Sequence, residues 1–145
     1  MALCRHFLIR TLLSLGMPTT DYVVAGSGPL LAHGLRDGVG DLDVVARGAA
    51  WEKALSRADP SPASSGHGRV VRLFGGDIEV FDRWLPGVPE PDVLIDSAEL
   101  VQDIPFCPLR TVLAWKTASP RPKDMADIAL INAYLSLRRP PGPRH

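Results

Sequence analysis

The chain has 145 residues, and its 16 basic side chains balance 16 acidic ones, so the net charge at pH 7 is zero. This balance excludes the strong overall positive field of proteins that hold long nucleic acids across their whole surface. Two cysteines far apart, Cys4 and Cys107, argue against a disulfide framework or a zinc site and favour a reducing cytoplasm. We expect one domain over residues 1–137 and a disordered tail over 138–145.

The N-terminal residues 1–16 are rich in leucine and resemble a secretory signal at first sight. Arg10 interrupts the apolar run, however, and no small-residue cleavage site follows it. We therefore expect a helix that packs on a sheet. No stretch reaches the roughly 20 apolar residues that a membrane crossing needs, so we expect no membrane partner.

The apolar run Tyr22–Ala25 predicts a buried strand that ends at Gly26. A helix is expected next, because Pro29 suits the first helical turn. Backbone N–H groups at such a helix start, beside Gly26 and the Ser27 hydroxyl, favour a phosphate. A Gly-Ser-Gly turn is also a common connection between a strand and a helix.

A second strand is predicted from Asp41 to Val45. Asp41 and Asp43 are two residues apart, so they project from the same face with about 7 Å between their backbones. Both carboxylates can then reach one cation, and hard oxygen ligands suit Mg²⁺ or Mn²⁺. Two acids on a solvent-facing strand are the alternative.

A helix is predicted over 49–58, a surface loop over 59–68, and a β-hairpin over 69–83 that turns at Gly75-Gly76. On the second hairpin strand, Glu79 and Phe81 share one face. Residues 96–101 are expected to form a capped helical turn.

The stretch 108–117 predicts a helix with Lys116 on the same side as Leu109 and Val112. An inward lysine either reaches to the edge of the core or meets a buried anion. If that anion belongs to a bound ligand, Lys116→Met is expected to keep or raise stability, because an apolar chain of similar length replaces an inward cation, and to weaken binding of the ligand.

The final helix is predicted to begin near Asp124 and to run to about Leu137, with Asp127 in its first turns. Acids there are favourable to the helix dipole whether or not they have a function. The basic residues of this region can hold a short RNA end. They are Arg110, Lys116, Arg121 and Lys123.

A Gly-Ser turn, a short helix, Arg36 and an Asp-x-Asp strand together resemble the signature of the polymerase-β-like nucleotidyltransferase superfamily. The run 78–81 (Ile-Glu-Val-Phe) resembles the context of that superfamily's third carboxylate, where aspartate is more usual. Lys116 followed by Lys-Asp-x-x-Asp-Ile at 123–128 is similar to the later motif of minimal and abortive-infection-type bacterial nucleotidyltransferases, which include members of toxin–antitoxin pairs.

The resemblance implies transfer of a nucleoside monophosphate from a nucleoside triphosphate to an acceptor hydroxyl, with Mg²⁺ or Mn²⁺ as cofactor. It implies catalytic and metal-binding roles for Asp41, Asp43 and Glu79. With the predicted elements it gives a mixed α/β domain, with a small twisted mixed sheet and helices packed mainly on one side. The nucleotide-binding residues it implies are Gly26, Ser27, Lys116, Asp124 and Asp127.

The acceptor can be a tRNA end, another protein or a small molecule such as an aminoglycoside, and a homodimer or a partner protein is a further expectation. Two other classes compete with the enzyme. One is a degenerate module that keeps the fold for binding, in the manner of an antitoxin. The other is a structural α/β domain whose acids have no shared role.

Overall fold

The computed structural model describes residues 3–86, 89–118 and 120–138. No helix within these ranges is both long enough and apolar enough to cross a membrane. In chain order the helices and strands are α1 Phe7–Ser14, β1 Tyr22–Ala25, α2 Gly28–Ala32, β2 Leu42–Ala46, α3 Gly48–Leu55, β3 Ser61–Pro62, β4 Arg69–Leu73, β5 Ile78–Phe81, α4 Pro91–Asp96, β6 Glu99–Val101, β7 Ile104–Phe106, α5 Leu109–Ala118 and α6 Met125–Arg138.

The strands form one mixed sheet in the order β3-β4-β5-β2-β1-β7-β6. At its centre β2 runs antiparallel to β1 and parallel to β5. The parallel register places Asp43 directly beside Glu79, and the antiparallel register places it beside Ala25. The mixed α/β class predicted from the sequence is confirmed. The register of β2 and β5 brings two of the predicted site acids together.

Side chains of β1 alternate between two apolar cores, one on each face of the sheet. Tyr22 and Val24 belong to the core that also contains apolar residues of α1 and α3. Val23 and Ala25 belong to the core that contains residues of α4, α5 and α6. The expectation of helices mainly on one side is therefore wrong, because both faces of this central sheet are apolar and each needs a helical cover.

The second core lies on the same face as Asp43 and Glu79. Val45 is two residues beyond Asp43 on β2 and belongs to that core, and Phe81, two residues beyond Glu79, packs against it. We call this the site face, and α5 and α6 cover it.

The hairpin predicted over 69–83 is confirmed, since β4 and β5 pair antiparallel. Its turn contains three residues with positive φ, Phe74, Gly75 and Gly76. Two glycines meet most of this conformational demand without a steric cost. The predicted strand Tyr22–Ala25 is also observed, and β2 begins one residue later than predicted, at Leu42.

The capped helical turn predicted over 96–101 is wrong. A helix ends at Asp96, and Glu99–Val101 is an edge strand that pairs antiparallel with β7. Within the loop predicted over 59–68, Ser61–Pro62 forms a short strand against β4. The predicted tail falls outside the described residues, apart from Arg138, which ends α6.

Candidate functional site

Three carboxylates converge at one end of the central strands. Asp41 immediately precedes β2, Asp43 lies on β2, and Glu79 lies beside Asp43 on the parallel strand β5. Each contributes an oxygen, and these three oxygens all lie within 4.8 Å of one another. The structure thus brings together all three acids that the sequence suggested as metal ligands; we call them the acidic triad.

The surroundings of Asp43 disturb its ionisation strongly. Burial, followed by the negative charges of Asp41 and Glu79, raises its pKa from 3.8 to about 7, against a lowering by Lys123 and Lys116. Like charges held this close cost free energy unless a cation joins them. The site therefore concentrates negative charge where the local cations only partly compensate for it.

Gly26 allows the close packing around Asp43. It follows β1 with φ of 61°, and a Cβ placed on it would lie 2.5 Å from Oδ2 of Asp43. A side chain at this position would displace the carboxylate and strain the backbone. The turn glycine that the sequence suggested as part of a phosphate cradle thus also makes room for a triad carboxylate.

The acidic triad fits a divalent metal ion by the chemistry of its donors. Among the described residues, neither Asp41 nor Asp43 has an ion pair, and Glu79 keeps one oxygen for the Arg72 guanidinium, with Oε2 and Nε 3.0 Å apart. Carboxylate oxygens are the ligands that Mg²⁺ and Mn²⁺ prefer. Asp41, Asp43 and Glu79 would therefore hold the ion.

A second set of acids lines the same cleft but is differently arranged. Asp124 and Asp127 are 3% and 2% exposed, at the junction of α5 and α6. Lys116, 5% exposed, places its Nζ 3.3 Å from a carboxylate oxygen of each. The inward lysine predicted from the sequence does meet buried anions, and the structure supplies two from the chain itself.

Further donors complete this arrangement around Asp127. The Ser27 hydroxyl donates to its Oδ2 over 2.9 Å, and Arg36 donates from Nε to its Oδ1 over 2.7 Å. Burial by itself would raise the pKa of Asp127, but these hydrogen bonds and the charges of Lys116 and Arg36 lower it below its ordinary value. Asp127 therefore ties α6 to the turn after β1 and stays ionised.

Asp124 has its own partners at the start of α6. It accepts hydrogen bonds from the Arg121 backbone N–H and from that residue's guanidinium, at 3.0 and 2.9 Å. Burial raises the pKa of Asp124, yet the Arg121 hydrogen bonds and the charge of Lys116 outweigh burial and hold it at about 2. We call Asp124, Asp127, Lys116, Arg36, Arg121 and Ser27 the ion-pair network.

The acidic triad and the ion-pair network face one cleft of about 550 Å³. This volume is within the range of small-molecule binding sites. Every residue suggested from the sequence as catalytic or nucleotide-binding lines it. The lining is Gly26, Ser27, Arg36, Gly40, Asp41, Asp43, Ser64, Ser65, Glu79, Phe81, Trp84, Leu85, Trp115, Lys116, Arg121, Lys123, Asp124 and Asp127.

The basic cluster expected from the sequence is divided by the structure. Lys116, Arg121 and Lys123 line the cleft, but Arg110 lies at a smaller groove with His33 and Tyr134. Arg110 is six residues before Lys116 on α5, so the two are about 9 Å apart along the helix axis. Arg110 is therefore not part of the cluster.

Sequence reasoning did not assign several cleft residues to the site. Arg36 was named only as part of the motif that runs from the Gly-Ser turn to the Asp-x-Asp strand, and it was given no role of its own. Phe81 was placed on the same strand face as Glu79 but was given no role, and Trp84 and Trp115 carried no local signal, since apolar periodicity does not separate a cleft wall from a core. Ser64 and Ser65 come from the predicted loop.

Comparisons with known proteins found no relative of this chain. The chain matches no protein-family model, no curated protein and no solved structure.

Proposed function

We propose that this protein is a metal-dependent nucleotidyltransferase, which moves a nucleoside monophosphate from a nucleoside triphosphate to an acceptor hydroxyl. The observation that carries the proposal is the acidic triad, whose three oxygens lie within 4.8 Å beside a cleft that also contains lysine and arginine side chains. Carboxylates that hold cations next to groups that attract phosphates are what such a transfer needs. The resemblance of the Gly-Ser and Asp-x-Asp motifs supports the same function.

In the reaction the acceptor oxygen forms a bond to the α-phosphorus, the bond from that phosphorus to the bridging oxygen breaks, and pyrophosphate leaves while the acceptor proton passes to water. Metal ions held by the triad would supply activation of the acceptor oxygen and charge stabilisation of the leaving group. Asp41, Asp43 and Glu79 fix where that chemistry occurs. Gly26 keeps the space beside Asp43 open.

Cations that line the same cleft would orient the triphosphate. Lys116 is held at the cleft by Asp124 and Asp127, and Lys123 is exposed at its rim. Arg121, 60% exposed in its side chain, keeps Asp124 as partner and can still face a ligand. Groups fixed before binding lose little entropy when a phosphate arrives, which favours orientation.

A degenerate binding module is the second candidate, and one observation favours it. The Ser27 hydroxyl and the Lys116 ammonium, both suggested as phosphate ligands, are already bonded to Asp127. A nucleotide must then share or displace these contacts. Under this alternative the protein keeps the fold for a partner and transfers nothing.

The experiment that tests the proposal is incubation with each labelled nucleoside triphosphate, Mg²⁺ or Mn²⁺, and a cell extract, in which labelled RNA, protein or small molecules are sought. Asp43→Asn should reduce labelling at least about a thousandfold, because several kcal/mol of metal-dependent stabilisation are lost. Glu52→Gln removes the same charge from the exposed side of α3 and should label as the parent does. Equal labelling by parent and Asp43→Asn would refute the assignment.

Melting temperatures separate the two candidates without an acceptor. Mn²⁺ together with a nucleoside triphosphate should raise the melting temperature more than either ligand alone if the triad and the cations form one site. If Mn²⁺ and triphosphate bind but no acceptor is ever labelled, the binding module is the better account.

A further inference from the structure

One wall of the cleft is apolar and largely aromatic. It consists of Phe81, Trp84, Leu85 and Trp115, which we call the aromatic wall. The Phe81 and Trp84 ring centroids are 5.1 Å apart at 78°, and those of Trp84 and Trp115 are 5.9 Å apart at 66°. These edge-to-face contacts fix the rings against one another.

The aromatic wall is only partly used by the core. Phe81, Leu85 and Trp115 are half-buried and border the cleft. Trp84 is 8% exposed, and its indole N–H is a buried donor with no partner among the described residues. Buried polar groups are normally hydrogen-bonded, so this unpaired donor is unusual for a side chain that only fills a core.

The position of the aromatic wall relates it to the charged parts of the cleft. Phe81 is two residues beyond Glu79 on the same face of β5, which is about 7 Å. Trp115 immediately precedes Lys116 on α5. A ligand whose phosphate lies between the acidic triad and Lys116 can therefore place a group one sugar away against these rings.

The remaining lining determines what kind of group fits there. Glycines, serines and charged side chains line the rest of the cleft, so an acyl chain would have mostly polar walls on its other sides. A flat aromatic group linked to a phosphate suits both parts. Aromatic side chains stack with every nucleobase, because every base has a π face.

We propose that the aromatic wall is a base-stacking subsite, in which Phe81 and Trp115 contact a nucleobase whose phosphate lies at the charged part of the cleft. This deepens the proposed function and rests on it for the position of the phosphate. The base belongs either to the donor triphosphate or to the terminal nucleotide of an RNA acceptor. Stacking gives affinity with little choice among bases.

The first test needs neither metal nor catalysis. Trp51 lies on α3, in the core on the other face of the sheet. In Trp51→Phe the tryptophan fluorescence therefore comes from Trp84 and Trp115, which line the cleft. With chelator present, AMP should quench the tryptophan fluorescence of this variant in a saturable way, and ribose 5-phosphate, which has the phosphate without the base, should not. Equal effects of the two compounds would overturn the proposal.

The second test separates the base from the phosphates by titration calorimetry in Mg²⁺. Trp115→Leu keeps an apolar side chain and should weaken ATP, a single-stranded ribotetranucleotide, or both by about fivefold or more, while tripolyphosphate binds as to the parent. Trp115→Phe should restore most of the affinity. Weaker ATP binding assigns the subsite to the donor base, and weaker tetranucleotide binding alone assigns it to the acceptor.

Phe81→Leu serves as an independent variant if Trp115→Leu melts at a lower temperature or fails to fold. Unchanged ATP and tetranucleotide affinities in a folded variant would overturn the proposal, as would equal weakening of tripolyphosphate. Refutation of the base-stacking subsite can be told apart from refutation of the proposed function. Labelling that survives in Trp115→Leu with unchanged affinities refutes only the subsite, and base-dependent AMP binding without any labelling refutes only the transfer reaction.

Discussion

Two sets of acids line one cleft, and they differ in how their charge is balanced. Asp124 and Asp127 are buried, and each is joined by Lys116 and by an arginine. In the acidic triad, by contrast, only Glu79 has an ion pair among the described residues. The pKa values follow this difference, since that of Asp43 is raised to about 7 and that of Asp124 is lowered to about 2.

The difference supports the proposal that the acidic triad, and not the ion-pair network, binds a cation. Charges that are neutralised within the fold stabilise the placement of α5 and α6, and they gain little from a cation. Charges that repel one another in the folded protein are held there at a cost, which an added cation would relieve. Catalytic sites commonly keep such unfavourable arrangements for function.

The largest expected effect concerns the stability of the metal-free protein. Asp43→Asn should raise the free energy of unfolding above pH 7 by an amount on the order of 4 kcal/mol, from a pKa of about 7 against 3.8. Between these values the folded parent binds the proton more tightly than the unfolded chain does. Parent stability therefore falls as pH rises from 3.8 to about 7, then stays level.

Urea unfolding in the presence of a chelator, at several pH values, measures this pH dependence of the free energy of unfolding. The stability of Asp43→Asn should not fall as the pH rises from 3.8 to about 7, and the two proteins should be equally stable at the acid end of the range. Asp59→Asn, which changes an exposed acid, is the matched control. The same pH slope in parent and Asp43→Asn would show that neither the burial of Asp43 nor its repulsion by Asp41 and Glu79 is a source of instability.

The second effect has the opposite sign and concerns the ion-pair network. Lys116→Met should lower the free energy of unfolding by about 3 kcal/mol, because two buried carboxylates lose a shared cation. The sequence alone favoured unchanged or higher stability for this substitution. Lys53→Met, at an exposed position on α3, is the control in the same urea titration. A stability equal to the parent's would show that Arg36 and Arg121 suffice for the two aspartates.

The smallest effect concerns the ion pair between Glu79 of the triad and Arg72. Arg72→Gln frees Glu79 from a half-exposed guanidinium, so it should tighten Mn²⁺ binding, by no more than about fivefold at low salt. Arg69→Gln, on the same strand and paired with Asp82, should bind Mn²⁺ as the parent does. Much weaker Mn²⁺ binding by Arg72→Gln would instead make Arg72 a positioning residue for Glu79.

The sequence predicted those parts of the fold whose signals are local. Neighbouring residues alone determine the geometry of three such features. They are the apolar strand Tyr22–Ala25, the Gly75-Gly76 turn and the i, i+2 spacing of Asp41 and Asp43. Strands Glu99–Val101 and Ile104–Phe106 were missed, since each has three residues and their turn uses Gln102 and Asp103 at positive φ, where no glycine marks it. The pairing of Phe106 with Val24 is a long-range contact that no local pattern encodes.

The candidate site was predictable to a similar degree. Alternation along β2 and β5 identified the acids, but only the register of those strands shows that Asp43 and Glu79 are neighbours. The partners of Lys116 depend on how α5 packs on α6, so the sequence could indicate a buried anion without identifying it. Phe81 and Trp115 face a cleft that exists only after folding.

The most direct test of the acidic triad is its affinity for Mn²⁺, measured by the loss of the free-ion signal in electron paramagnetic resonance. The parent and Glu52→Gln should bind the ion alike, and Asp43→Asn should bind it at least about tenfold more weakly, because a ligand is lost while the fold is kept. Binding by Asp43→Asn as tight as by the parent would contradict the assignment of Asp41, Asp43 and Glu79 as a metal site.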